Sequence, residues 1–232
     1  MAIVIPGAIQ LYRRLRFLPL LGSRLQEEEQ LMNTMSTSPF AESFRLLALN
    51  INAALKDKPA KGVVVMSAYS GDGRSFVAAN LAVAMAERQP TILHDGHSRA
   101  DSPVADLFRT HSLTSGNGGP SAKANQLPST LGDIARPTHG SQLWLTGSRN
   151  PQPSDTDRLG EIIRTASDAG ITTVVDTPPA SISSEAFALA QEVGQVVYVV
   201  RRRPQDMDIH KRIRDQLERL DTDIIGLVTN EA

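Results

Sequence analysis

The sequence predicts an α/β fold, a mostly parallel β-sheet sandwiched between helices, on three observations. Runs such as Thr172-Thr173-Val174-Val175 and Val196-Val197-Tyr198-Val199-Val200 hardly alternate with polar residues, as expected of strands covered on both faces. Segments of helical spacing repeatedly follow such runs, and repeated strand-helix units specify a parallel sheet between helices. At one junction Val63-Val64-Val65-Met66 enters Ser67-Ala68-Tyr69-Ser70-Gly71-Asp72-Gly73-Arg74-Ser75 and then Phe76-Val77-Ala78-Ala79-Asn80-Leu81-Ala82. A strand, a glycine-rich turn and a helix in this order aim backbone N–H groups and a helix dipole at one point.

Taken in order, residues 1–37 read as an extension that closes in the polar run Asn33-Thr34-Met35-Ser36-Thr37-Ser38-Pro39, and residues 38–232 as the main domain. Phe44, Leu47 and Ile51 recur at helical spacing and predict a helix from Phe40 to Leu55. Gly62 to Ser67 then reads as strand, Ser75 to Arg88 as helix and Thr91 to Asp95 as strand. Residues 96–142, with Ser115-Gly116-Asn117-Gly118-Gly119-Pro120 at their centre, read as an irregular, mobile surface excursion. Order returns with a strand from Gln142 to Thr146, a helix from Asp155 to Ala169 and a strand from Ile171 to Asp176. Ser184 to Val193 (helix), Gln195 to Arg201 (strand), Asp206 to Leu220 (helix) and Asp223 to Thr229 (strand) complete the alternation.

A chain of 232 residues can bury a sizeable core. Its 41% apolar and 21% charged content is that of a globular protein, and a net charge of -1 gives no general attraction to nucleic acid, so no nucleic-acid partner is expected. Without cysteine there is no disulfide framework, thiolate metal site or cysteine nucleophile, which agrees with a cytoplasmic location. Neither a signal peptide nor a membrane span is read at the N-terminus, where Pro6 and Pro19 break the apolar pieces. Residues 1–26 carry Arg13, Arg14, Arg16 and Arg24 beside Leu11, Tyr12, Leu15, Phe17 and Leu18. That mixture suits peripheral contact with an anionic membrane surface, docking on a partner, or packing back on the domain. The histidines at 94, 97, 111, 139 and 210 show no metal-ligand spacing. Arg201-Arg202-Arg203 reads as a solvated basic turn or a contact to nucleotide or partner.

The general phosphate-loop pattern GxxxxGK[ST] uses glycines for close backbone approach, lysine for the terminal phosphates and a hydroxyl for Mg²⁺. Here Ala68 stands for the first glycine, Gly73 for the second, Arg74 for the lysine and Ser75 for the hydroxyl. Thr91-Ile92-Leu93-His94-Asp95 and Thr173-Val174-Val175-Asp176 each end a strand in an acid. In a doubly wound sheet the carboxyl ends of neighbouring strands share one crevice. Two strand-end carboxylates beside a phosphate loop are what Mg²⁺ and an attacking group require.

With these residues in place the chain resembles the cytoplasmic kinase domain of bacterial tyrosine kinases, the BY-kinases of capsule and exopolysaccharide synthesis, which group with the partition and septum-site P-loop ATPases. The likeness runs from about residue 38 to 230. It rests on Ser38-Pro39 before Glu42-Ser43-Phe44-Arg45-Leu46-Leu47, on Gly71-Asp72-Gly73-Arg74-Ser75 in the place of GEGKS, and on Asp95-Gly96-His97-Ser98-Arg99 in the place of DxDxR. Asp176-Thr177-Pro178-Pro179, Asn150-Pro151 with Leu159, and Gly226-Leu227-Val228-Thr229-Asn230 carry it further. The resemblance implies a P-loop NTPase architecture of three layers and ATP or ADP with Mg²⁺ as ligands. It implies nucleotide contacts from Ser70, Gly71, Asp72, Gly73, Arg74, Ser75 and Phe76, with Asn230 facing the adenine. Arg74, Asp95 and Asp176 would inherit the catalytic roles, and Ser75, Asp95 and Asp176 the metal.

The departures fall on the chemistry. Arg74 is a planar fork where the family has a compact ammonium. His97 replaces the second acid of its motif with a poor Mg²⁺ ligand. The family's ExxRxxR assembly helix keeps Glu42 and Arg45 but has Ala48 at the last arginine, and no tyrosine cluster precedes Ala232; the tyrosines are Tyr12, Tyr69 and Tyr198. The expectation is therefore a nucleotide-binding, BY-kinase-like regulator of exopolysaccharide assembly with impaired or absent kinase activity. An active tyrosine autokinase or ATPase is the alternative, and a positioning ATPase the second, though Tyr69 stands where such proteins carry an additional lysine. Implied partners are a membrane polysaccharide co-polymerase or its cytoplasmic tail, and further copies of the chain through the helix around Glu42 and Arg45.

Overall fold

The computed structural model describes residues 31–32, 37–96, 103–114, 127–132, 134–138, 142–147, 155–201 and 207–230. The N-terminal residues 1–26, His97, Asn150-Pro151 and Arg202-Arg203 lie outside them.

The first helix, α1 (Pro39–Leu55), starts where the sequence supplies both a cap and a stiff first turn. The Ser38 hydroxyl accepts from the Ala41 amide at 3.2 Å, and Pro39 follows at the start of the helix. Ala41, Phe44, Leu47, Ala48, Ile51 and Leu55 form its buried face. Next come β1 (Gly62–Ser67), α2 (Arg74–Ala86), β2 (Thr91–Asp95) and α3 (Pro103–Thr114). A short α4 (Ser129–Gly132) and a two-residue β3 (Arg136–Pro137) lead to β4 (Leu143–Thr146). The remainder is α5 (Asp155–Asp168), β5 (Thr172–Asp176), α6 (Glu185–Val193), β6 (Gln195–Arg201), α7 (Met207–Arg219) and β7 (Asp223–Asn230).

The seven strands form one sheet in the order β3-β4-β2-β5-β1-β6-β7, parallel throughout except for β3 against β4. β1 lies between β5 and β6, which makes its carboxyl end the place where successive connections diverge to opposite sides. Crevices of this kind are where open α/β sheets bind ligands. Every residue of β1 and of β5 is buried, which accounts for the near absence of alternation in their sequences.

Side chains on one face of the sheet, among them Val63, Val65, Leu93 and Val174, pack with α1 and α2. Those on the other, Val64, Met66, Val175 and Val196, pack with α5, α6 and α7. Phe40, Phe44 and Phe76 knit α1 to α2, with ring centroids 5.1 Å apart for Phe40 and Phe44 and 6.2 Å for Phe44 and Phe76. At the far end of the same contact Arg45 makes a two-pronged bond to Glu87, Nε to Oε2 at 2.8 Å and Nη2 to Oε1 at 3.0 Å. That pairing holds the Arg45 pKa above its ordinary value.

The stretch 96–142, read as irregular, contains α3, α4 and β3; in α3 Val104 is buried and Leu107 and Phe108 lean on the α1/α2 core. Three apolar residues within five positions suffice for a helix once a core stands ready to cover them. Leu31 and Met32, at the end of the extension, are also part of this core, and the Met32 amide donates to Asn80 Oδ1 at 2.6 Å.

Phe44 joins α1 to α2 at a site with almost no solvent exposure. Phe44→Ala is expected to lower unfolding free energy by about 3–5 kcal/mol, measured by urea denaturation, whereas Leu49→Ala on the exposed face of α1 should change it little.

Candidate functional site

Beyond Ser67 the chain leaves the sheet and re-enters regular structure only at Arg74. Gly71 and Gly73 take φ of 79° and 90°, a left-handed conformation that favours glycine. The loop holds itself by short bonds. The Ser67 hydroxyl donates to the Tyr69 carbonyl at 3.0 Å, and Asp72 Oδ2 accepts from the Tyr69 amide at 2.9 Å.

Neighbouring elements grip the loop from outside. The Ala180 and Ser181 amides donate to the Ser67 and Ala68 carbonyls, each at 3.0 Å. Asn230, the last residue of β7, donates its side-chain amide to the Asp72 carbonyl at 3.2 Å, and Arg201 Nη1 stands 3.4 Å from the Gly71 carbonyl. Gly73 caps α2 without any side-chain bond to the helix. The first amides of α2 therefore receive no side-chain cap from Gly73 at the mouth of the loop, the arrangement that binds anions.

The site residues expected from sequence divide by where this geometry puts them. Ser70 and Gly71 are exposed at the loop tip, and Asp72, Arg74 and Ser75 are buried beneath it. Phe76 contributes only its backbone to the mouth of the loop, because its ring packs against Phe40 and Phe44. Asn230, expected at the adenine, has its amide on the loop. Asp95 and Asp176 are direct partners across the β2/β5 pairing, so the two strand-end acids do come together. The strand ends are tightly spaced: Gly96 donates its amide to the Asp176 carbonyl at 2.9 Å, and a Cβ at Gly96 would lie 2.5 Å from that oxygen.

Arg74 is the decisive residue. Its side chain is 6% exposed and turns into the protein, where Nε donates to Asp176 Oδ1 at 3.0 Å and Nη1 to the Ser67 hydroxyl at 3.2 Å. Asp176 itself is fully buried. Ion pairs taken out of water survive only when geometry is good and further hydrogen bonds accompany them, and here the Ser67 hydroxyl supplies one. Sequence reasoning singled out Arg74 and Asp176 but not Ser67, whose hydroxyl serves both the loop and the guanidinium. The signal was a polar residue ending a wholly apolar strand.

Tyr198 is a tyrosine whose surroundings bear on phosphate chemistry here. Tyr198 is 5% exposed, shares a hydrogen bond of 2.9 Å with His210 Nδ1, and is held above its ordinary pKa, first by burial and then by the charge of Asp72. It is enclosed in the core rather than presented as an acceptor. Among the described residues no three His, Asp or Glu side chains gather as a metal cluster.

No protein-family model matches the chain. It is 26% identical over 164 residues to the putative tyrosine-protein kinase AmsA of Erwinia amylovora, covering 69% of this chain and 22% of that protein. It is 25% identical over 217 residues to the tyrosine-protein kinase YwqD of Bacillus subtilis, covering 90% of this chain and 88% of that one. Both of these similar proteins carry the name of tyrosine-protein kinases. In structure it is similar to the BceF tyrosine kinase domain, with a TM-score of 0.72, 18% identity and 99% of each chain covered. That likeness shows the α/β fold expected from sequence, and the cell division ATPase MinD of Pyrococcus furiosus is also similar in fold, with a TM-score of 0.55 and 17% identity over 74% of this chain and 72% of that one.

Gly73 lies between backbone strain and a wall, since a Cβ there would stand 2.5 Å from Asn230 Nδ2, whereas Gly71 faces open space. Both Gly71→Ala and Gly73→Ala are expected to cost about 1–2 kcal/mol through positive φ, with Gly73→Ala the more damaging in urea unfolding. Adding Asn230→Ala should bring the two closer together.

Proposed function

We propose that this protein is a nucleotide-binding, BY-kinase-like regulator of capsule or exopolysaccharide assembly whose phosphoryl-transfer activity is impaired or absent. The observation that carries the reading is the burial of Arg74 against Asp176. In a transferring site the loop cation bears on the terminal phosphates and the strand-end acid on the metal; here the two residues are engaged with each other. Phosphate binding survives this because loops of this kind hold phosphate mainly through backbone amides and the helix dipole. Ser70, Gly71, Asp72, Gly73, Ser75 and Phe76 would supply those amides, and the bound nucleotide would be ATP or ADP.

The resemblance to tyrosine kinases supports a partner of the kind expected from sequence, a membrane polysaccharide co-polymerase or its cytoplasmic tail. A cytoplasmic location, with peripheral membrane contact through residues 1–26, is part of the same proposal. Among the described residues no helix is long and apolar enough to cross a membrane. Self-association through α1 belongs to the same proposal. Arg45 is already committed to Glu87 and Glu42 within one chain, while Leu46 and Leu49 are the large apolar side chains left exposed on that helix.

The alternative, an active autokinase or ATPase, is favoured by one observation, the direct pairing of Asp95 with Asp176 at the strand ends. Losing a single contact made in the transition state costs about 3–4 kcal/mol, or several hundredfold in rate, so the two readings separate cleanly by turnover. Calorimetry with magnesium present should detect ADP and ATP binding, and labelled ATP should leave no more phosphate on the wild type than on Asp95→Asn. Incorporation that requires Asp95 would establish the alternative, and absence of binding would remove the nucleotide altogether. Arg74→Lys should raise turnover.

A further inference from the structure

We infer that Arg201 and Asn230 are positioning residues for phosphate binding: from the ends of two neighbouring strands they turn the peptides after Gly71 and Asp72 so that successive loop amides face a polyphosphate. The inference rests on the nucleotide reading above and names side chains that set the strength of that binding without touching the ligand.

β6 outruns the central strand. Ser67, the last residue of β1, pairs with Val199, and β6 continues past it to Arg201, which pairs with Asn230 of β7. That extra length of strand reaches roughly 7 Å beyond the end of β1, so Arg201 and Asn230 stand side by side against the loop that β1 releases. Each takes one loop carbonyl. Arg201 Nη1 is 3.4 Å from that of Gly71, and Asn230 Nδ2 donates to that of Asp72 at 3.2 Å. Asn230 is pressed close, since a Cβ on Gly73 would stand 2.5 Å from its Nδ2.

In a trans peptide the carbonyl and the following N–H point opposite ways, and among the described residues no peptide bond is cis. Holding the Gly71 and Asp72 carbonyls from the β6/β7 side therefore directs the Asp72 and Gly73 amides away from that side together. The backbone agrees. φ is positive at Gly71 and Gly73 but not at Asp72, an alternation of hand that gathers successive N–H groups into an anion-binding concavity.

The other flank of the loop is held in the same manner. The Ser67 and Ala68 carbonyls accept from the Ala180 and Ser181 amides, and the Tyr69 carbonyl accepts from the Ser67 hydroxyl. Arg201 brings a charge as well as a donor: a cation on the Gly71 carbonyl polarises that peptide and makes the Asp72 N–H a stronger donor. None of this calls on Arg74, whose guanidinium is turned inward on Asp176 and Ser67.

Calorimetric titration of the full chain with ADP and, separately, with inorganic pyrophosphate, which has no base, tests the proposal. Arg201→Met and Asn230→Ala are each expected to weaken both ligands at least about tenfold, whereas Arg201→Lys, which keeps a cation at the Gly71 carbonyl, should stay within about threefold of the wild type. Arg201→Met should leave the urea midpoint unchanged, and in the ligand-free protein both weakening substitutions should shift the Asp72 and Gly73 amide resonances. A loss confined to ADP would reveal a contact to the base and overturn the proposal, and weakened binding with those resonances unmoved would reveal a direct contact to the ligand and do the same. Unchanged affinity in Arg201→Met and Asn230→Ala would overturn it while leaving the nucleotide reading intact. Failure of the wild type to bind ADP would overturn both.

Discussion

A positive and a negative side chain are enclosed together at the carboxyl end of the central strand, and much of the site's architecture answers to that enclosure. Asp176 reaches full burial because β5 runs between β1 and β2 and is covered by helices on both faces. A lone carboxylate there would be intolerable. Arg74 is delivered to it by the turn at Gly71 and Gly73, which starts α2 directly over the strand ends. Ser67, ending β1, accepts a bond from the guanidinium and ties the pair to the loop. The loop's conformation and the burial of the charges are thus mutually dependent.

The same pair shapes what the site can do. In a phosphoryl-transferring loop the charges must be disposed around a substrate whose own charge develops during reaction. A cation that already has its anion meets that developing charge less fully. Backbone amides are indifferent to this, which is why, in the function proposed above, holding a nucleotide and transferring its phosphate would come apart. The bracing of the loop by Asn230 and Arg201 from the two strands beyond β1 points the same way, toward a rigid cradle.

The layered fold was legible in the sequence because buried parallel strands and glycine turns leave local signals. Val196 to Val200 could only be a covered strand, and β5 was equally plain. α3 was not, because Val104, Leu107 and Phe108 sit among residues of weak helix preference and owe their helix to the waiting α1/α2 core. The site was legible as a set of residues and not as a set of contacts. Arg74 and Asp176 stand far apart in the chain, and nothing local says that a long side chain will turn inward rather than toward a ligand. Asn230 illustrates the same limit: its place at the end of β7 was evident, while its bond to the Asp72 carbonyl depends on how the loop packs in three dimensions.

The most direct measurement is a double-mutant cycle in urea unfolding with Arg74→Met, Asp176→Asn and the two combined. Each single change should destabilise by about 3–5 kcal/mol, because it leaves a buried partner alone. The double variant should lose less than the sum, with a coupling of about 1–3 kcal/mol. Strictly additive losses would show that the two charges do not sustain one another, and would contradict the account.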